Sequence, residues 1–287
     1  MSAVAVVGTG RMGAAMTARL CGAGHDVTVF NRTRSRAAEV AAHTGATVAE
    51  TVREAAQHAD VVFVSLADDT AVRAVYAGLV SGLREGAVVL ETSTVHPDTV
   101  RALAPDVEAR SASLLDTPVS GSVPLVERGE LTAMVGGSAD ALAAARPVLA
   151  AIASRVFHLG PLGTGATMKL SVNAVVHALN QALAEALVLA EKAGVDRALA
   201  YEVFAESAIA APFVHYKRDA FVRPDEAVVG FSLDLVAKDL ELIHALAQRV
   251  GARMDQLAAT RQVVGQAVAD GYGRRDLSAI AELLRLG

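Results

Sequence analysis

Ala3-Val-Ala-Val-Val7 leads directly into Gly8-Thr9-Gly10-Arg11-Met12-Gly13, and the reading of this junction decides the fold. An unbroken apolar run suits a strand buried on both faces of a parallel sheet. Gly8 permits the tight turn out of that strand, Gly10 lets a pyrophosphate approach the main chain, and Gly13 lets the next helix lie close on the sheet. The helix that follows, opening with Arg11 and Met12, turns free N–H groups and the positive end of its dipole towards the same phosphates. A glycine triplet alone is a weak signal, and a βαβ turn without a ligand is the alternative. Here a strand pattern precedes it, a helix pattern follows, and Val27-Thr-Val-Phe30 supplies a second strand, which is the context dinucleotide binding demands.

The length of 287 residues suits two domains better than one core. With 53% hydrophobic and 20% charged residues, the chain belongs with well-buried globular proteins and not with disordered ones. A net charge of −5 without a basic cluster argues against nucleic acid or an anionic membrane as partner. The single cysteine, Cys21, excludes an intrachain disulfide and fits a reducing, cytoplasmic compartment. The apolar start has no basic segment ahead of it and is broken by Gly8, Gly10 and Arg11, so it reads as a strand and not as a secretion signal. No uncharged run reaches the length of a membrane span, and no spacing of His, Cys and carboxylates suggests a metal site.

Strand-like runs recur at residues 46–48, 61–65, 87–90, 113–116, 132–135 and 155–158, with helical patterns between them. Such alternation predicts a parallel, doubly wound sheet, an N-terminal Rossmann domain over residues 1–160 with its ligand outside the strand carboxyl ends. The loops after Gly8, Ser65, Glu91 and Asp116 all lie at that end. From residue 161 to 287 only helical patterns remain, and an all-α domain is expected. A long interdomain helix over residues 166–193 joins the two. At 1.5 Å per residue it spans about 40 Å, and its Ala, Leu and Val on every face predict burial all round.

Polar residues stand out against that apolar helix. Lys169 and Asn173 are four apart and share a face; His177 and Asn180 continue the stripe and read as structural. A buried lysine is rare unless paired or functional, and desolvation would lower its pKa towards what a proton donor to a carbonyl needs. A lysine that snorkels to solvent beside the loop would look the same in sequence. Asp116-Thr-Pro-Val-Ser120-Gly121-Ser122 offers a nest of backbone N–H groups for a carboxylate, though any turn could carry it. Phe231-Ser-Leu-Asp234-Leu-Val-Ala-Lys238-Asp239-Leu opens a late helix, and a solvated face would explain its charges equally well. After the second strand come Asn31, Arg32 and Thr33, where an NAD-specific domain would place an acid. Asn31 does not repel a 2′-phosphate, Arg32 can pair with it through its planar fork, and Thr33 adds a hydroxyl. The expected cofactor is therefore NADPH in preference to NADH.

Taken together, these stretches resemble the β-hydroxyacid dehydrogenase family, which includes 3-hydroxyisobutyrate dehydrogenase, tartronate semialdehyde reductase and glyoxylate/succinic semialdehyde reductases. Gly8 to Met16 is similar to its cofactor signature, Asp116 to Ser122 to its substrate motif, Gly160 to Asn173 to its catalytic motif, and Phe231 to Leu240 to its late Lys-Asp-Leu segment. Ser93-Thr94-Val95-His96-Pro97 resembles its nicotinamide-side loop. Two departures stand out: Ser122 replaces a second glycine, and Glu91 stands where an aspartate is usual.

The resemblance implies an NADPH-dependent reductase or dehydrogenase that interconverts a short aldehyde- or keto-acid and its hydroxy acid in the interdomain cleft. Lys169 would be the general acid and base, with Asn173 and Ser120 beside it in catalysis. Ser120, Gly121 and Ser122 would take the carboxylate, together with Lys169 and Asn173. Gly8, Gly10, Arg11, Met12, Gly13, Asn31, Arg32, Thr33, Ser65, Leu66, Thr94 and Lys238 would hold the cofactor. A homodimer or higher homo-oligomer is expected. An imine reductase is the alternative, though those enzymes generally lack the lysine. A non-catalytic NADP-binding protein is a further one.

Overall fold

In the computed structural model, which describes residues 1–286, the chain divides into two compact units, Met1–Lys169 and the residues from Leu170 onward. Residue 287, the last of the expected helical domain, lies outside the described residues.

The first unit alternates strand and helix. β1 (Ala3–Val7), α1 (Arg11–Gly22), β2 (Asp26–Phe30), α2 (Arg34–Thr44) and β3 (Thr47–Val48) are followed by α3 (Val52–Ala56), β4 (Val61–Val64), α4 (Asp69–Gly82), β5 (Val88–Glu91), α5 (Pro97–Glu108) and β6 (Ser113–Asp116). Then come β7 (Val119–Ser120), α6 (Val123–Arg128), β8 (Leu131–Gly136), α7 (Ala139–Leu149), β9 (Ala153–Gly160) and α8 (Thr164–Lys192). The sheet order is β3-β2-β1-β4-β5-β6-β8-β7, with β9 against β8. Chain order reverses between β1 and β4, so a ligand crevice opens at their carboxyl ends, beside Gly8 and Ser65. The apolar β1 run follows from its place: Val4 and Val6 enter one core layer, Ala5 and Val7 the other.

From β3 through β6 every pairing is parallel, as the alternation predicts. Beyond β6 the expectation of a parallel sheet fails, because β8 runs antiparallel to both β6 and β7. Pro118 and Gly121 turn the chain, and residues 121–130 are too few for the crossover of about a dozen residues that a parallel return requires. This segment reads as loop in the sequence, because β7 has only two residues.

The second unit is helical, as expected. α9 (Arg197–Glu206), α10 (Pro212–Val222), α11 (Leu233–Val250), α12 (Asp255–Ala267) and α13 (Ile280–Leu286) pack with the later turns of α8. A π-turn at Val268–Tyr272 and a 3-10 turn at Leu277–Ala279 separate α12 from α13. Asn180 is structural, donating from Nδ2 to the Leu277 carbonyl at 2.9 Å. α8 is not buried all round: Val175 is 68% and Leu189 72% exposed. Five shorter helices do not surround a helix of 29 residues. Among the described residues α8 is also the one helix long and apolar enough to cross a membrane, yet Leu183, Ala184, Leu187 and Val188 belong to this unit's own core.

One buried ion pair ties the unit together. Lys217 Nζ of α10 donates to Asp276 Oδ1 and Oδ2 at 2.8 and 2.7 Å. Asp276 also accepts the N–H groups of Gly230, Phe231 and Ser278. Burial pushes the Asp276 carboxyl up, but Lys217 and these donors outweigh it and hold it below the usual range. Asp276→Ala strands the Lys217 ammonium and should cost about 3–5 kcal/mol in urea unfolding, whereas Glu50→Ala, which breaks the exposed Arg34–Glu50 pair, should leave the unfolding midpoint close to wild type.

Candidate active site

The three glycines of the first turn do different work. A Cβ on Gly8, whose φ is +97°, would lie 2.2 Å from the Ser65 carbonyl oxygen, and one on Gly13 would lie 1.9 Å from the Gly8 oxygen. Both are required by the fold's own close packing. Nothing stands within 4 Å of a Cβ on Gly10, so that glycine opens outward at the head of α1. The helix has no side-chain cap and no acid in its first turn, which leaves its N-terminus suited to an anion. Met12 begins the helix half-buried against the core.

Asn31 joins the two strand-end loops. Its Oδ1 accepts the Thr9 N–H at 3.2 Å and its Nδ2 donates to the Thr33 carbonyl at 3.0 Å. Arg32 and Thr33 are exposed. Arg34 is engaged with Glu50 through Nε and Nη2. Arg36, in contrast, lines a cavity of about 600 Å³ with Thr9, Gly10, Arg11 and His43. Arg32 does not line it. α2 carries Arg36, one turn beyond Arg32, to the side of the glycine turn. Two guanidiniums and an open glycine at a helix head fit a phosphate-bearing dinucleotide.

The loops after β4 and β5 are locked together. Ser65 N–H donates to the Val7 carbonyl at 2.9 Å, and Leu66 N–H donates to Ser93 Oγ at 2.8 Å. Thr94 beside them is half-buried. Under this loop lies Glu91, 1% exposed, whose Oε1 accepts the Ser93 N–H at 2.9 Å. Burial raises its carboxyl to about 7, against smaller opposing pulls from Ser93 and Tyr76. In the sequence it is only a departure from a pattern; nothing local signals that the acid points inward.

Asp116 fixes the start of α8. It is fully buried, and Oδ1 accepts the Gly163 N–H at 2.8 Å while Oδ2 accepts that of Ala166 at 2.6 Å. A Cβ on Gly136 would meet Asp116 Oδ1 at 2.3 Å, and one on Gly165 the Met134 oxygen at 2.4 Å. Burial raises the Asp116 carboxyl, and the two N–H groups offset part of that. The first residue of the expected substrate motif is therefore a helix cap, and it sets the position of Lys169, which is half-buried. At the far end of the motif Gly121 has φ +139°. Among the described residues the N–H groups of Gly121 and Ser122 have no main-chain partner. Ser122 precedes α6 without capping it through its side chain, and Ser120 is half-buried.

Further along α8, Asn173 Nδ2 donates to Asp239 Oδ2 at 2.6 Å. A carboxylate only accepts, so this bond fixes the amide with its NH₂ inward and its oxygen turned away. Lys238 Nζ lies 2.8 Å from Asp239 Oδ1. His177 Nε2 lies 3.6 Å from Oδ2, and the His177 ring stacks on Phe231 at 6.0 Å. Burial pushes Asp239 up, but His177 and Lys238 more than compensate and hold it below the usual carboxylate value. A solvated helix face does not describe Asp239, which is fully buried. Its register with Val236, Leu240 and Ile243, all buried, is the signal that places it inside.

A glycine turn at the switch point of a doubly wound sheet, a helix head open to phosphate and an all-helical second unit define a dinucleotide-dependent oxidoreductase. Residues 3–160 match the NAD binding domain of 6-phosphogluconate dehydrogenase, and residues 163–284 the NAD-binding region of NADP-dependent 3-hydroxyisobutyrate dehydrogenase. The chain is 32% identical to the 3-sulfolactaldehyde reductase of Escherichia coli, covering 100% of this chain and 97% of that one. It is also 32% identical to the NAD-dependent L-serine dehydrogenase of Pseudomonas aeruginosa, over 99% and 98% of the two chains. The solved structure of Mycobacterium tuberculosis 3-hydroxyisobutyrate dehydrogenase with L-serine superposes with a TM-score of 0.87 at 32% identity, over 99% of each chain. The chain belongs to the β-hydroxyacid dehydrogenase family, and it is an NAD(P)-dependent oxidoreductase acting on the hydroxyl–carbonyl couple. A Pseudomonas imine reductase shares the fold, with a TM-score of 0.68 at 22% identity.

Glu91 links this site to stability. The unfolded chain releases the proton near 4.5 and the folded chain near 7. Between those values the folded state binds more protons, so its stability falls as pH rises through the window. Glu91→Gln should therefore gain stability relative to wild type on moving from low pH to pH 8, by about 3 kcal/mol in denaturant unfolding. A constant difference between the two proteins across that range would contradict the account.

Proposed function

We propose that the chain is an NADPH-preferring reductase of a short aldehyde- or keto-acid, with Lys169 as the general acid, and as the base in the reverse direction. The observation that carries this reading is the placement of Lys169: half-buried, on the first turns of a helix whose start Asp116 clamps. Asn173 stands on the same face with its amide oriented by Asp239. When bound, the dinucleotide supplies the hydride for the carbonyl carbon. Lys169 Nζ delivers the proton to the carbonyl oxygen, and Asn173 Oδ1 accepts the hydrogen bond of the resulting hydroxyl.

The substrate carboxylate goes to the N–H groups of Gly121 and Ser122 and to the Ser120 hydroxyl. The E. coli relative, named a 3-sulfolactaldehyde reductase, supports an aldehyde bearing an anionic group. Gly8, Gly10, Gly13 and the head of α1 hold the pyrophosphate, Ser65, Leu66 and Thr94 flank the nicotinamide half, and Lys238 is a further cofactor contact. Arg32, joined by Arg11 and Arg36, meets the 2′-phosphate. The exposed Val175, Leu189, Leu199 and Val203 on α8 and α9 support a homo-oligomer that covers them.

Lys169→Ala should lower kcat by about 10²–10⁴-fold while leaving the NADPH dissociation constant close to wild type. Near-normal turnover would remove the lysine from the mechanism. The pair Asn31→Asp with Arg32→Ala should raise the KM for NADPH about tenfold or more and leave that for NADH level or lower, since a charge-assisted bond contributes about 1.5–3 kcal/mol. Wild-type kcat/KM that is equal or higher with NADH would overturn the preference.

A further inference from the structure

Glu91 is the buried acid that the reaction scheme leaves unused. Its Oε1 holds the Ser93 N–H, and the Ser93 hydroxyl holds the Leu66 N–H. The Ser65 carbonyl next in the chain packs against Gly8, so a short run of contacts joins the acid to the glycine turn. Among the described residues neither Glu91 Oε2 nor the Tyr76 hydroxyl beside it makes a well-formed hydrogen bond. The ionisable groups on the surrounding elements are Asp69, Arg73 and Tyr76 of α4, His96 and Arg101 at α5, and Asp116, the register partner on β6. Asp69 accepts from His96 N–H and Thr99, Arg73 donates to Thr99, and Arg101 acts on Asp116. A charge on Glu91 therefore has no cation assigned to it among the groups that act on it, which are Ser93, Tyr76 and Asp69.

An oxidised nicotinamide ring carries a positive charge that the reduced ring lacks, and the rest of the dinucleotide is the same in both. A buried carboxylate under the nicotinamide-side loop acts in a low dielectric, where a single charge is felt across several ångströms. We propose that Glu91 discriminates the oxidised from the reduced cofactor: ionised, it favours the oxidised ring beside Thr94, and protonated it is indifferent, so the relative affinity for the two cofactor forms answers to pH through this side chain. This rests on the reading that the nicotinamide half lies by Ser93 and Thr94. Ionisation comes at about 7, within the range of ordinary assay buffers.

The test compares dissociation constants of NADPH, from its own fluorescence, and of NADP⁺, by competition, from about pH 6 to about pH 8.5. Their ratio cancels the titration of the shared 2′-phosphate and isolates the ring. In wild type, Kd(NADPH)/Kd(NADP⁺) should rise about fivefold over this range, and in Glu91→Gln it should stay at its low-pH value. Tyr76→Phe, which removes a hydroxyl that steadies the ionised acid, should keep the rise and move its midpoint to higher pH. A flat wild-type ratio, or a Glu91→Gln ratio that still rises, overturns the proposal; if Glu91→Gln does not fold, an unmoved midpoint in Tyr76→Phe does so. Should NADP(H) not bind, the same measurement is made with NAD⁺ and NADH. Binding of neither pair would defeat the cofactor reading itself, a result distinct from binding without pH dependence.

Discussion

A carboxylate shut away from water, Asp116, determines where α8 begins. Two main-chain N–H groups satisfy it, those of Gly163 and Ala166, and the neighbouring glycines 136 and 165 have no room for a side chain. The helix can start at one place only, and every residue on it inherits that register. Lys169 and Asn173 owe their common face to the helical repeat, and Lys169, on the second turn of the helix, owes its position relative to the sheet to this cap. Losing it would leave a buried acid without donors and four unpaired N–H groups at a helix head, a combination far more costly than one hydrogen bond.

Carboxylates recur in this role. Asp239 orients an amide and Asp276 gathers three N–H groups around an ammonium. Each is an acceptor placed where backbone or side-chain donors converge, and each stays ionised because its partners outweigh burial. Asp116 and Glu91 differ: burial outweighs the two N–H donors on Asp116 and raises it, and with one donor fixed on Glu91 and another acid nearby burial prevails further. The same residue chemistry thus gives rigid struts in one place and a titratable group in another, and a lysine in contact with the carboxylate makes the difference.

Much of this was legible in the sequence. The apolar β1 run, the glycine turn and the change from strands to helices identified both architectures, because hydrophobic period and glycine placement are local properties. β7 and α6 were not legible, being too short to carry a period. The antiparallel return of β8 was also hidden, since strand direction depends on a turn and not on the strand's own residues. For the site, residue types were readable but some surroundings were not: Asp116 was only the first residue of a motif and caps α8, while the sequence left Asp239 open between a functional position and a solvated face, and it is buried. Arg36, four residues beyond Arg32, reaches the cavity only because α2 carries it there. Long-range packing decides each of these cases.

The staple made by Asn31 constrains how cofactor choice can drift in such a chain. One side chain supplies both the acceptor for Thr9 and the donor to Thr33, and in the proposed placement of the cofactor it stands where the charge offered to the ribose is set. Replacing the amide by the isosteric acid keeps the acceptor, and with it the tie between the two loops, while reversing the electrostatic preference. A side chain of another shape would lose the tie to Thr9 and leave the glycine turn joined to β2 by the Gly8 N–H to Phe30 carbonyl bond. Under that placement the path between the two dinucleotides is narrow at this residue, and adjustment is easier at exposed Arg32, which no contact described above ties to the fold.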